Sequence, residues 1–157
     1  MPGRSRRLGL PLVSAVLASL GIAVSAYLTV IHYDEGLLVC GLGDCHTVQT
    51  SDYAEILNIP VALLGLGMYV VLLGLVALRR LRPDTMVYVT ATTFALTLAG
   101  VIFAGYLAYV ELFVLEAICQ WCVVSAVLTT LLLVTEGVLV ARLLAIPENM
   151  PDESVHS

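Results

Sequence analysis

Lysine is absent from this sequence, and charge of either sign is scarce, at 12% of its 157 residues. A soluble domain keeps roughly 25% charged residues because its surface must face water. With 60% hydrophobic residues, the chain has too little polar surface to cover a water-soluble globule. No basic stripe is present to neutralise phosphates, and the formal net charge is −5, which excludes nucleic acid as a partner. Internal repeats and low-complexity segments are also missing.

What is present is four long apolar segments: Leu8–Ile31, Ile59–Leu78, Met86–Val110 and Ile118–Ala141. Their lengths suit a hydrocarbon core roughly 30 Å thick. None carries a charged residue in its middle, as the cost of burying charge in lipid requires. The composition predicts an all-α membrane protein, a four-transmembrane-helix bundle.

Arginine positions set the orientation. Arg4, Arg6 and Arg7 precede the first segment, Arg79, Arg80 and Arg82 join the second to the third, and Arg142 follows the fourth. Four spans with both termini cytoplasmic put every arginine inside. The connections left for the outer face carry only Asp34, Glu35, Asp44, Asp52, Glu55, Glu111 and Glu116 as charges. The start imitates a signal peptide, with Val24-Ser25-Ala26 as the cleavage site, but its apolar run is about twice the usual core of such a signal. The expected organisation is a cytoplasmic N-terminus over 1–7, a single four-helix membrane domain over 8–145 and a flexible cytoplasmic tail over 146–157.

All four cysteines fall on the predicted outer face. Cys40 and Cys45 lie in the first connection, and Cys119 and Cys122 open the fourth segment. In a bacterium that side is oxidising, so disulfides persist there. Cys119-Gln120-Trp121-Cys122 is a C-x-x-C motif at a helix start, where unpaired N–H groups and the helix dipole favour a thiolate. Its sulfurs would lie at the lipid–water boundary beside Trp121, where a lipid-soluble quinone head group is found. Gly41 and Gly43 give the other pair a tight turn and freedom to swing.

Two short bridges would stabilise the fold by only about 2 kcal/mol each, whereas a Cys45–Cys119 bridge closing about 75 residues would give roughly 4.5 kcal/mol. Redox chemistry is thus the better reason for two close pairs, but a structural cross-pairing stays open on the residues alone. A zinc ion held by all four thiolates is the other alternative, and the spacing of the loop pair, with four residues between its cysteines, suits it less well.

The stretch Cys45-His46-Thr47-Val48-Gln49-Thr50-Ser51-Asp52-Tyr53-Ala54, then Asn58-Ile59-Pro60-Val61 and Gly65, resembles the bacterial vitamin K epoxide reductase family. The later C-x-x-C at the start of the last core helix is similar to that family's too, and the resemblance covers about residues 8–141. It implies a four-helix bundle around a quinone such as menaquinone or ubiquinone, with a short outer-face helix after the first loop. It also implies roles. Cys122 passes electrons to the quinone, Cys119 is its resolving partner, Cys45 shuttles by exchange with Cys119, and Cys40 is attacked by a thioredoxin-fold (DsbA-like) partner. Ser51 falls at the family's serine near the quinone, although it also reads as an ordinary polar residue on a short surface helix. The implied activity is thiol:quinone oxidoreduction supporting disulfide formation, in the bacterial cytoplasmic membrane. The loop pair is closer than in many relatives, and animal members carry a tyrosine where Ala126 stands, which weighs against epoxide reduction. No thioredoxin-like domain follows Arg142, so the partner is expected to be a separate protein.

Rival readings differ in chemistry or class. A DsbB-type quinone-dependent oxidase places its C-x-x-C in the first outer loop, the reverse of the order here. A metal-handling protein would want thiols or acidic groups within the spans to pass an ion onward, and the spans are read as offering none. A structural bundle with cross-loop bridges is the third. His32 reads as an interface residue, His156 as a tail residue, and His46 either as an aid to a Cys45 thiolate or as a solvated side chain. Tyr27, Tyr69, Tyr88, Tyr106 and Tyr109 read as belt or packing residues.

Overall fold

The computed structural model describes residues 3–34, 36, 39–41 and 43–145, apart from the side chains of residues 3–8 and 83. The tail expected over 146–157, with His156, and the side chains of Arg4, Arg6 and Arg7 lie outside the described residues. The elements are α1 (Gly3–Tyr33), α2 (Cys45–Gln49), β1 (Glu55–Ile56), β2 (Ile59–Pro60), α3 (Val61–Leu81), α4 (Met86–Phe113) and α5 (Gln120–Ala145). Among the described residues, α1 from Gly9 onward, α3, α4 and α5 are long and apolar enough to cross a membrane. At 1.5 Å per residue the four helices run roughly 30 to 45 Å. The protein is a four-helix membrane bundle with the expected short helix, α2, after the first loop.

One boundary is corrected. Ile59 and Pro60 do not open the second span. They pair with Ile56 and Glu55 in an antiparallel hairpin, and α3 starts at Val61. The hairpin turns on Leu57 and Asn58, with φ of 53° and 62°. A two-residue turn of this hand needs positive φ at both positions, which the sequence supplies through Asn58 but not through Leu57. His32, at the end of α1, holds the hairpin by a 3.0 Å contact to the Glu55 carboxylate.

The helices form a ring in which α1 touches α3 and α5, and α4 touches the same two. Polar residues inside it satisfy themselves locally. The hydroxyls of Thr29, Thr93, Thr97, Thr129, Thr130 and Thr135 each donate to a carbonyl one turn back. The core packs Tyr69, Leu72 and Leu132 together, with Leu17, Ile22, Met68 and Leu96 against them. Gly21 admits the Tyr69 ring where any Cβ would collide with it, and the Tyr69 hydroxyl reaches Thr129 at 2.7 Å and the Ser125 carbonyl at 2.9 Å. Gly100 lies similarly close under Met68, while Gly67 and Gly105 face open space.

The reading of the spans as free of buried charge is corrected at Glu136 on α5, which has no exposed surface. Arg79, from the last turn of α3, meets it with two nitrogens, at 2.8 and 3.1 Å. Ser14 of α1 donates to the same carboxylate at 2.6 Å, and Arg79 reaches Thr90 of α4 at 3.3 Å. One side chain from each spanning helix therefore enters a single polar knot at the arginine end. The planar guanidinium matches both carboxylate oxygens, which is what allows the pair to be buried at all. Three of the roughly four acceptor positions of the Glu136 carboxylate are taken, and the paired arginine adds a positive charge that repels a passing cation.

Candidate active site

All four cysteines meet at the opposite end of the bundle. Cys119 immediately precedes α5, and the N–H groups of Trp121 and Cys122 point at its sulfur. The Cys122 thiol hydrogen-bonds to the same sulfur, and this is the larger effect. Together they lower the Cys119 thiol from its ordinary 9.0 to about 7, against burial and the nearby Glu111 charge. Cys119 is completely buried, so this ionisable sulfur is reachable only from inside the cluster.

Cys40 and Cys45 form a disulfide, whereas Cys119 and Cys122 are free thiols. Cys45, at the start of α2, is also completely buried, in one apolar cluster with Cys119, Val48 and Ala117. Cys40 is only half-buried. Each bridge sulfur thus faces a different environment, one the surface and the other the helix pair.

The loop is fastened to the C-x-x-C segment, not free to swing as its glycines suggest. Gly43 pairs with Cys119 in an antiparallel bridge, and the Asp44 N–H donates to the Ile118 carbonyl at 3.0 Å. Gly43 has φ +86°, and any Cβ there would strike the Ile118 carbonyl oxygen. Glycine is required at this position for closeness and for backbone hand together. Asp44 then caps α2, accepting from the Thr47 N–H at 3.1 Å and its hydroxyl at 2.7 Å. On the other flank Trp121 donates to the Val39 carbonyl at 2.9 Å, and the Val39 N–H donates to the Tyr27 hydroxyl at 3.0 Å. The two rings meet edge to face with centroids 4.9 Å apart. Tyr27 and Trp121, read from the sequence as boundary residues, hold the backbone N–H and carbonyl of Val39, the residue before Cys40.

Beneath α2 lies a largely apolar cavity of about 740 Å³ between the spanning helices, with Cys122, Ser51, Glu111, Phe103 and Ala126 in its wall. Ser51 begins a 3₁₀ turn over Asp52–Ala54, just beyond α2, and donates its hydroxyl to the Val48 carbonyl at 2.8 Å. Cys122 and Ser51 therefore line the same space. Tyr69 is deeply packed at that cavity, Tyr88, Tyr106 and Tyr109 are exposed on the helix surfaces, and His46 is exposed on α2.

The sequence reading that puts Glu111 in an outer connection is corrected. Glu111 sits in the last full turns of α4 with 6% of its surface exposed. Its carboxylate accepts the Cys119 N–H at 3.0 Å and lies beside the Cys122 side chain. A charge just past an apolar run has no periodic signature that separates burial from solvation, and only the returning chain, eight residues later, supplies its partners.

The model of the vitamin K epoxide reductase family matches residues 12–136. That stretch takes in both cysteine pairs, Ser51 and the cavity between them, along with most of each spanning helix. Members are membrane thiol–disulfide oxidoreductases that work with quinone-type substrates. With the family's order of cysteines, its short helix and its helix-start C-x-x-C all in place, this chain belongs to the vitamin K epoxide reductase family.

Proposed function

We propose that the protein reoxidises an extracytoplasmic thioredoxin-fold partner and delivers the electrons to a membrane quinone, so sustaining disulfide formation. The observation that carries this reading is the asymmetry of the loop bridge, with Cys40 at the surface and Cys45 sealed against Cys119. The orientation proposed, in the bacterial cytoplasmic membrane, puts the cysteine end outside and both termini in the cytoplasm. The gathering of Arg79, Arg80, Arg82 and Arg142 at the other ends of the helices supports it.

The partner's thiolate attacks Cys40, and Cys45 leaves as a thiolate. The partner's second thiol then resolves the mixed disulfide, leaving Cys40 and Cys45 both reduced. Cys45 next attacks Cys119 in the Cys119–Cys122 disulfide and displaces Cys122. Cys40 then attacks Cys45, which closes the loop bridge again and frees Cys119. Two electrons have moved inward, and the arrangement reached is the one seen here, with the loop pair bonded and the helix pair free.

The cavity fits a quinone. About 740 Å³ of largely apolar space lies within the range of small-molecule sites, and Ser51, Glu111 and Cys122 are among the polar groups in its wall. Cys122 and Ser51 are the residues proposed to hold the head group, the serine by turning its hydroxyl from the Val48 carbonyl to a quinone oxygen. When bound, the quinone supplies the two-electron acceptor that a dithiol needs to return to a disulfide.

Reconstitution with a reduced thioredoxin-fold protein and added quinone tests the reading. Partner disulfide and quinol should form in equal amounts, and Cys122→Ala should abolish quinol formation. Normal turnover in Cys122→Ala would overturn the reading.

A further inference from the structure

The relay uses four sulfurs but leaves one buried ionisable group beside them without a task. Glu111 lies against both members of the helix pair, through the Cys119 N–H at 3.0 Å and through the Cys122 side chain, and it shares the cavity wall with Cys122. We propose that Glu111 is a catalytic proton carrier for Cys122, giving up its proton as the Cys119–Cys122 bridge opens and taking it back as the bridge closes. The inference rests on the relay proposed above and assigns it a proton path.

The physical case is one of hydrogen-bond donors. With the helix pair free, the carboxylate has the Cys119 N–H and a share, with the Cys119 sulfur, in the single Cys122 S–H. With the pair bonded, no thiol hydrogen remains and the carboxylate keeps only the backbone N–H. A buried carboxylate with one donor lost takes up a proton, because a charge removed from water is tolerated only when hydrogen bonds replace the water. The redox state of the sulfurs and the protonation of Glu111 are therefore tied together.

The step balances. The Cys45 thiolate forms a bond to the Cys119 sulfur, the Cys119–Cys122 bond breaks, and Cys122 leaves with the electron pair. The proton on the Glu111 carboxyl moves to the Cys122 sulfur, so Cys122 becomes a thiol and Glu111 a carboxylate. When Cys40 later displaces Cys119 from Cys45, Cys119 leaves as a thiolate and needs no proton, since its thiol is already lowered to about 7. The single Cys122 thiol hydrogen then has two acceptors beside it, the Cys119 sulfur and the Glu111 carboxylate. When Cys122 gives up its electrons, that carboxylate is in place to receive the hydrogen as a proton.

Quinone-free purified protein allows a direct test by infrared difference spectroscopy between the bonded and free states of the helix pair, with a small dithiol as reductant. A carboxylic-acid carbonyl band should be present in the bonded state and lost on reduction, and it should be missing from Glu111→Gln. Rapid-quench thiol counting should show opening of the helix pair slowed about a hundredfold in Glu111→Gln, the usual scale of a lost general acid, and partly restored in Glu111→Asp. Glutamine still offers an oxygen to the Cys119 N–H, so a merely structural role would leave that rate unchanged. If Glu111→Gln does not fold, the native protein with isotope-labelled glutamate decides through the band alone. Absence of a redox-sensitive carboxyl band, or a native rate in Glu111→Gln, overturns the inference. Because neither measurement involves partner or quinone, the inference can fail while partner oxidation proceeds, and the relay can fail while the band is seen.

Discussion

At the scale of single residues, position relative to a helix start governs reactivity. Cys119 is drawn toward the thiolate by the neighbouring thiol and by N–H groups that α5 cannot satisfy internally. Ultraviolet titration of the reduced helix pair should therefore show a thiolate appearing with a midpoint near pH 7, well below the ordinary 9.0. The sign is that of a lowered acid: ionised above the midpoint, protonated below it, with exchange through Cys119 slowing as pH falls. A midpoint near the ordinary value would remove the reason for Cys119 to leave the mixed disulfide with Cys45 as a thiolate. Gly43 tests placement instead of charge. Gly43→Ala puts a Cβ into the Ile118 carbonyl at a backbone hand costing about 1–2 kcal/mol for an L residue, so the loop should detach. Thiol counting after partial reduction should then find Cys45 and Cys119 exchanging more slowly.

At the scale of elements, the loop that carries Cys40 depends on two aromatic side chains from α1 and α5. Tyr27→Phe removes the acceptor for the Val39 N–H, and Trp121→Phe removes the donor to its carbonyl, each worth about 1 kcal/mol. Either change should raise the rate at which a soluble maleimide labels Cys119 by roughly fivefold, and the double change by more, as the loop opens. No increase would mean that the bridge at Gly43 alone holds the loop. The elements themselves were largely legible in the sequence. Run length and the absence of charge located all four spanning helices, because crossing a bilayer leaves little freedom in length or composition. The hairpin over residues 55–60 was not legible, since two strands of two residues have no period and its turn uses Leu57 with positive φ. Glu111 escaped for a related reason: its burial comes from a tertiary return of the chain, not from its own neighbours.

At the scale of the whole molecule, the two ends of the bundle do different jobs. The arginine end is tied by Ser14, Arg79, Thr90 and Glu136, one from each spanning helix. Arg79→Met would leave Glu136 charged and unpaired in the interior, a loss of about 3–5 kcal/mol. The unfolding midpoint in detergent should drop accordingly, and Glu136→Met added to it should recover most of the loss. A double variant no better than the single would show that the knot acts through packing. Averaged hydropathy hid this pair, because one acidic residue hardly alters an apolar run and its partner is 57 positions away. At the cysteine end the loop bridge shows the surface only through half-buried Cys40, with Cys45 and Cys119 sealed behind it and Cys122 turned to the cavity. In the relay proposed above, aqueous thiols and the lipid-borne acceptor communicate through the Cys40 sulfur, and recognition of the donor is expected from the side chains around it. Grafting that loop from a relative should reassign which donor is served while the acceptor stays the same, so donor choice and acceptor choice are free to evolve separately.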